Sequence, residues 1–333
     1  MTGKAMQIWG ITGGRRGNDV LVEGIAQALS RDLGDDLTGN FRLLHIDLPR
    51  PFNWLAPYRP AMLGVSRDRK IVPPWPDLVI ASGRQAVPHA RYIRRAAKGK
   101  TFVAFLQDPH ISATHFDFVW APSHDRVSDP RIMQTVLSPH GLTAEAIHAQ
   151  AAAWRDTLIP ALVQQKQRKI VSVILGGPSQ AYPFNDATMT QLAQQLGRLA
   201  AQNCFLLITM SRRSPERYGD ILRQYVTPEN AFIWDNQGPN PYLAMLGLGE
   251  HFIVTADSAN MVGEACLPGK PVQVFDLPGG SPKFARFHES LRQQDWVRDF
   301  TGELESWPVS PRNATPEIAS ALAQAMTKAI GQR

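Results

Sequence analysis

The chain has 333 residues, 44% of them hydrophobic and 19% charged, with a formal net charge of +6 and a sequence pI near 9.5. This composition excludes a disordered or fibrous chain, and the length is enough to bury a substantial core without disulfide or metal staples. The positive balance bears on anionic partners (a phosphorylated ligand, an anionic membrane surface or nucleic acid) and not on fold.

The N-terminal "MTGKAMQIWGITGG" lacks the long apolar core of a signal peptide. No uncharged apolar run reaches the length of about 18 residues that marks a membrane span. A cytoplasmic protein is expected, with binding at the inner face of a membrane left open. "MQIWGIT" (6–12) reads as a buried strand. The helix of "NDVLVEGIAQALSRDL" (18–33) follows, with Leu21, Ile25, Ala28 and Leu29 on one face and Asn18 as its cap. Further strands are "FRLLHIDL" (41–48), "PDLVIASG" (77–83), "KTFVAFLQD" (100–108) and "FDFVWAPSHD" (116–125). A helical stretch over 142–169 is broken near Pro160, and the pattern then restarts. "IVSVILGG" (170–177), "CFLLITMS" (204–211), "AFIWD" (231–235) and "HFIVTAD" (251–257) read as strands, with helices at 186–201 and 214–225 between them. Cys204 and Cys266 sit in apolar settings without zinc spacing and read as buried thiols. An amphipathic helix over 315–330 closes the chain. Strands separated by helices imply parallel βαβ units. The fold class expected is α/β, with two Rossmann-like, doubly wound parallel-sheet domains. The boundaries drawn are 1–165, 166–312 and a C-terminal helix, 313–333, packing back on the first domain.

In open α/β sheets, ligands bind at the carboxyl ends of the strands. In the second half those ends carry "GGPS", "SRR" and "TADSANMVGE". Gly176 and Gly177 admit close backbone approach, with Ser179 beside them. Ser211, Arg212 and Arg213 offer hydroxyl and guanidinium donors suited to phosphate. Asp257 and Ser258 precede a helix whose first amides favour an anion. Together they describe a diphosphate pocket, with Glu264 available to sugar hydroxyls. Each element alone has an ordinary explanation: Asp257 or Ser258 as an N-cap, Glu264 as a solvated helix residue, Gly-Gly-Pro as a turn. A carboxylate beside a diphosphate repels it, so Asp257 either caps the helix or contacts the sugar.

In the first half, "TGGRRGN" supplies Gly13, Gly14 and Gly17 between strand and helix. The spacing is not G-x-G-x-x-G, and Asp47 stands too far downstream for the dinucleotide fingerprint, which disfavours a nicotinamide cofactor. Asp108, His110, His124, Asp125 and, in "SPHG", His140 are general-base candidates or simple loop caps. In "SPKFARFHESLRQQDWVRDF", Phe284, Phe287 and Leu291 recur at helical spacing, which reads as an amphipathic helix packing on the core, or as one that also turns Lys283, Arg286 or His288 toward an anion. No dense carboxylate cluster suggests a bound divalent ion.

Residues 6–300 resemble the bacterial and plant family named for the elongated-mitochondria fission factor, whose bacterial members are described as candidate glycosyltransferases. The blocks that carry the resemblance include "TGGRRGNDVLVEGIAQAL", "PDLVIASGRQAVPHARYIRR", "QDP", "LGGPS", "MSRRSP", "VTADSANMVGEACLPGKPVQVF" and "KFARFHESL". The resemblance implies a GT-B glycosyltransferase, two facing Rossmann-like domains with a cleft between them. The donor, a nucleotide-diphosphate sugar, would sit on the C-terminal domain as substrate, with no resident cofactor and no metal. Gly176, Gly177, Ser258 and Glu264 match the Gly-rich loop, the serine-led helix and the ribose-binding glutamate of enzymes resembling the lipid-II-forming transferase. Asp257 departs from the small residue usual there, and Gly13 and Arg15 depart from the acidic residue and lysine frequent in the first loop. The implied acceptor is a cell-envelope glycan or lipid-linked precursor, with peripheral membrane contact and no nucleic-acid partner. Asp108, His124 or Asp125 would be the base. The alternative implied by the plant relatives is a non-catalytic adaptor that recruits a membrane-remodelling partner.

Overall fold

A computed structural model describes residues 6–33, 40–66, 68–160, 163 and 167–331. They form two compact units, Met1–Gly141 with Ala314–Arg333, and Leu142–Asn313. In the first unit the elements run β1 (Ile8–Thr12), α1 (Arg16–Leu33), β2 (Phe41–His45), α2 (Phe52–Leu55), a 3-10 turn (Arg59–Ala61) and α3 (Met62–Val65). They continue as β3 (Leu78–Ser82), α4 (Ala86–Ala96), β4 (Phe102–Leu106), β5 (Phe118–Pro122) and β6 (Ile132–Thr135). All pairings are parallel, in the order β2-β1-β3-β4-β5-β6. β1, β3 and β4 are buried along their whole length. That is why they read as continuous apolar runs, since a parallel strand is covered on both faces.

The second unit runs α5 (Ala144–Leu158), β7 (Lys169–Leu175), α6 (Asp186–Ala201), β8 (Cys204–Met210), α7 (Arg217–Arg223) and β9 (Ala231–Ile233). It continues as α8 (Tyr242–Leu248), β10 (His251–Thr255), α9 (Ala259–Ala265), β11 (Val272–Phe275), α10 (Pro282–Gln293) and β12 (Arg298–Asp299). Its sheet is also parallel, in the order β12-β11-β10-β7-β8-β9. The order reverses direction between β7 and β10, and in the first unit between β1 and β3. These are the switch points at which doubly wound sheets open a crevice. The α/β class and doubly wound parallel sheets expected from the sequence are what the structure contains.

The boundary differs from expectation. Residues 165 and 166 lie outside the described residues, but the chain changes unit earlier, between Gly141 and Leu142. The reason is that α5 packs on α8: Ala151, Leu158 and Ile159 share a core with Ala244, Met245 and Leu248. Gly247 lets the two helices meet, since a β-carbon there would lie 2.7 Å from the Ile147 carbonyl oxygen. The last helix, α11 (Thr315–Gly331), packs on α1 within the first unit. Thr315 Oγ1 anchors it by accepting from His140 N and donating to His140 O, both at 2.9 Å. Asn18 is not a cap, because α1 begins two residues earlier. Its side-chain oxygen instead accepts from Gln107 Nε2 at 3.2 Å. β6 and β12 were not legible in the sequence. Both are short edge strands with few apolar residues.

Candidate functional site

The site with the densest polar order lies at the carboxyl end of the second sheet. β10, β7 and β8 are neighbours there, and their registers end level: Val254 pairs with Ile174, and Ile174 with Thr209. The loops that follow therefore leave the sheet side by side. Asp257 joins them. Its side chain is fully buried, whereas Arg213 remains 44% exposed. Asp257 Oδ2 accepts from Gly177 N at 3.0 Å and from Arg213 Nη2 at 2.6 Å. Asp257 Oδ1 accepts from Thr255 Oγ1 at 2.8 Å, and Thr255 Oγ1 in turn accepts the Gly176 amide at 2.7 Å. A buried carboxylate is tolerable only with such a set of donors.

The β8 loop closes the network from its other side. Arg213 Nη1 donates to the Gly177 carbonyl at 2.8 Å, and Ser214 Oγ donates to the Gly176 carbonyl at 2.5 Å. Ser211 Oγ accepts from Arg213 N at 3.2 Å and lies 3.2 Å from Ser214 Oγ. Since the Ser214 proton is committed to Gly176, Ser211 donates in that pair. Ser179 is used locally: it accepts from Tyr182 N at 3.1 Å and its amide donates to the Tyr182 carbonyl at 2.9 Å.

Two expectations change in physical content. The glycines are required by close approach, but the atoms that approach are the protein's own. A β-carbon on Gly176 would overlap the Asp257 carboxylate, and one on Gly177 would lie 2.6 Å from the Arg213 carbonyl carbon. Both glycine amides are already bonded to Thr255 and Asp257. Asp257 itself is not the cap of α9. Ser258 fills that position, accepting from Met261 N at 3.4 Å. Arg212 is exposed beside the network, while Arg213 is held within it.

Glu264 is not a solvated helix residue. Tyr242 donates its hydroxyl proton to Glu264 Oε2 at 2.5 Å. Burial, and then the Glu264 charge, push the Tyr242 hydroxyl well above its ordinary pKa, so it remains a donor. Next to these loops, a cavity of about 810 Å³ is lined by Tyr182, Ser281, Arg286, His288 and Arg292, among others. His288 Nε2 lies 2.9 Å from the Ala256 carbonyl. A carbonyl only accepts, so the proton is on Nε2. Burial holds the His288 pKa below its ordinary value, which leaves the ring neutral with Nδ1 as a lone-pair acceptor. Burial, then Asp276 and Asp257, raise the Tyr182 hydroxyl to about 12.

In the first unit, a cavity of about 390 Å³ at the β1/β3 switch point is lined by Gly13, Arg15, Asn18, Arg84, Gln85 and Gln107, among others. Asp108 follows β4 as a partly exposed carboxylate. It accepts from His110 N at 2.8 Å and lies 3.1 Å from His110 Nδ1. His124 is buried in the 3-10 turn after β5, with Asp125 partly exposed beside it. The two strands are neighbours, so all three base candidates share one sheet edge. His140 is buried, and its backbone holds the last helix. Among the described residues, no three His, Cys, Asp or Glu side chains are grouped to hold a metal ion. No described helix is long and apolar enough to cross a membrane. Thr255, Ser214 and Tyr242 were missed from the sequence. Thr255 reads as a strand residue, and no spacing relates Tyr242 to Glu264 across two elements.

The profile of a family described as Mitochondrial fission ELM1 matches residues 17–326. The Mitochondrial fission protein ELM1 of Arabidopsis thaliana is 32% identical over 272 residues, covering 74% of this chain and 62% of that protein. This chain therefore spans less than two thirds of that relative's length. The UDP-GlcNAc 2-epimerase of Methanocaldococcus jannaschii superposes with a TM-score of 0.53 at 11% identity, covering 97% of this chain and 100% of the other. MurG of Acinetobacter baumannii superposes with a TM-score of 0.52 at 14% identity, covering 98% and 93%. At these identities the likeness speaks to fold alone, and that fold is the GT-B type.

Proposed function

The chain belongs to the mitochondrial fission ELM1 family, and from that premise we propose that it is a glycosyltransferase using a nucleotide-diphosphate sugar as donor. The observation that carries this reading is the switch point of the second sheet. Four adjacent strands end there in polar loops, three of them locked together by Asp257, beside a cavity that presents Arg286, Arg292 and a neutral His288. A doubly wound sheet binds its ligand at that place. In this reading Glu264, held by Tyr242, accepts from ribose hydroxyls. Arg212 and the guanidinium of Arg213 face the diphosphate, and Asp257 serves by fixing the loops. His288 Nδ1 accepts from a sugar hydroxyl.

The reaction is displacement at the anomeric carbon. The acceptor oxygen forms the new bond, the bond to the diphosphate oxygen breaks, and the acceptor proton passes to a base. Positive groups stabilise the charge that develops on the leaving diphosphate. Asp108 suits the base role better than His124, because it is accessible and backed by His110. The acceptor proposed is a cell-envelope glycan or lipid-linked precursor. Titration of UDP, GDP, CMP and ADP with thermal-shift detection tests the donor site. A ligand at 100 times its dissociation constant stabilises by about 2.7 kcal/mol. A shift with one nucleotide that is lost in Glu264→Ala is expected, and no shift with any of the four would count against the enzyme.

Two observations favour a second reading, a non-catalytic adaptor. The Gly176 and Gly177 amides are bonded internally, and the 32% identical Arabidopsis relative carries the name of a fission protein. The same titration separates the two.

A further inference from the structure

The segment between β2 and β3 is unusual in its surface. The large hydrophobic side chains that stand exposed among the described residues are Trp54, Leu55, Tyr58, Leu63 and Val72, all from this one segment, with Trp54 67% and Leu63 66% exposed. Isolated exposed hydrophobics are ordinary, but their concentration on a single short segment is not. The segment is fastened independently of those side chains. Arg84 donates to the carbonyls of Ala56 at 2.9 Å and Asn53 at 3.1 Å, and Ala56, Ala61, Val65 and Ile71 are among its buried residues. A β-carbon on Gly64 would lie 2.8 Å from Phe52, so α2 and α3 pack against each other. Trp54, Tyr58 and Leu63 are thus held outward by a built turn.

The same segment forms one wall of a cavity of about 570 Å³. Arg59 and Met62 line it from this side, and Arg91, Arg94, Arg95 and Lys98 from α4 and its end. No acidic residue lines it among the described residues. Arg94 is neutralised by Asp117 at 2.7 Å. Arg91 instead faces His115 Nε2 at 3.4 Å, and burial together with the neighbouring Arg59 lowers its pKa. His115 is lowered by burial, then by Arg91 and Arg94. Cations at the end of α4 complement the helix dipole. That explanation does not reach Arg59, which comes from a different element and is turned toward them. The arrangement is a hollow with unneutralised positive charge, lined on one side by Arg59 and Met62 of the same segment that carries the exposed Trp54, Tyr58 and Leu63.

We infer that this face of the first unit docks on an anionic lipid bilayer, with Trp54, Tyr58 and Leu63 entering the interface and Arg59, Arg91, Arg95 and Lys98 holding lipid phosphate. Amphipathic aromatic rings and long basic side chains suit the boundary between headgroup and acyl chain. Each Lys or Arg close to an anionic surface strengthens partitioning about five-fold. The inference deepens the lipid-linked part of the proposed function by placing the protein at the surface where such an acceptor resides.

The test is co-sedimentation of the full chain with vesicles, without nucleotide. Vesicles of phosphatidylcholine mixed with phosphatidylglycerol should pellet the protein, and vesicles of phosphatidylcholine alone should not. Added salt should weaken the binding. Arg91→Gln combined with Arg95→Gln should lower it about 25-fold. Trp54→Ser combined with Leu63→Ser should lower it more than ten-fold. All four positions are partly or wholly exposed, so unchanged melting temperatures exclude unfolding as the cause. Equal pelleting with both vesicle types, or full binding by both double variants, would overturn the inference. So would stabilisation by inorganic phosphate that depends on Arg91 while vesicles fail to bind, since the hollow would then serve a soluble anion. Because no nucleotide is present, failure here leaves the donor site standing, and failure of nucleotide binding leaves the docking face standing.

Discussion

Gly176 is a glycine because of Asp257. A β-carbon at position 176 would overlap both carboxylate oxygens of that buried side chain. The two residues lie far apart in sequence but meet at adjacent strand ends, where Asp257 gathers the Gly177 amide, Thr255 and Arg213.

Replacing Gly176 by alanine should therefore displace Asp257 and loosen three loops together. Overpacking of this kind costs about 1–3 kcal/mol, and equilibrium urea unfolding reads it. Asp257→Ala should cost a similar amount, because it leaves the Gly177 amide buried without its acceptor. The double variant should lose less than the sum of the two, since the clash and the network vanish together. Strict additivity would mean that the contact carries no energy.

Tyr242→Phe removes only the hydroxyl that holds Glu264 Oε2. A hydrogen bond to a charged group contributes about 1.5–3 kcal/mol. If Glu264 binds ribose, nucleotide affinity should fall in Tyr242→Phe and fall further in Glu264→Ala, as read by calorimetric titration. Equal affinity in wild type and Glu264→Ala would remove Glu264 from the donor site.

Stability should fall on acidification. His89 is fully buried, and burial depresses its pKa, as it does for His251 and His288. A histidine with a lowered folded pKa is neutral in the folded state while the unfolded chain already binds its proton. Its contribution is present above the ordinary histidine value of about 6.5 and is lost as pH falls from there toward the depressed folded pKa. Urea midpoints measured on either side of about pH 6.5 should differ in that direction. His89→Gln should lower stability at neutral pH yet flatten the dependence, and an unchanged slope would exclude His89 as a contributor.

Both cysteines should resist thiol reagents while the protein is folded. Burial pushes the Cys266 thiol to about 12 and raises that of Cys204. The thiolate is the reactive form, so labelling at mildly alkaline pH should follow unfolding. Rapid labelling of the native protein would contradict the burial of both side chains.

Much of the fold could be read directly because strands covered on both faces must be continuously apolar. "QIWGIT", "DLVIAS", "IVSVIL" and "HFIVT" announce themselves, and the helices between them impose parallel pairing. The polar strand ends were visible for the same reason, as breaks in apolar runs. The unit boundary was not, since α5 has an ordinary amphipathic pattern and only its packing on α8 assigns it to the second unit.

Sequence by itself determined the class, the two sheets, the family and the positions of Gly176, Gly177, Arg213, Asp257 and Glu264 at strand ends and helix starts. Tertiary structure decided what those residues do to one another. Neighbouring strands far apart in the chain brought Asp257 against Gly176 and Arg213, so glycines that read as room for a ligand became room for a carboxylate. It also paired Glu264 with Tyr242, and set Arg59 against the cations of α4. Spacing along a chain carries local periodicity, whereas contacts between loops depend on which strands the sheet makes adjacent.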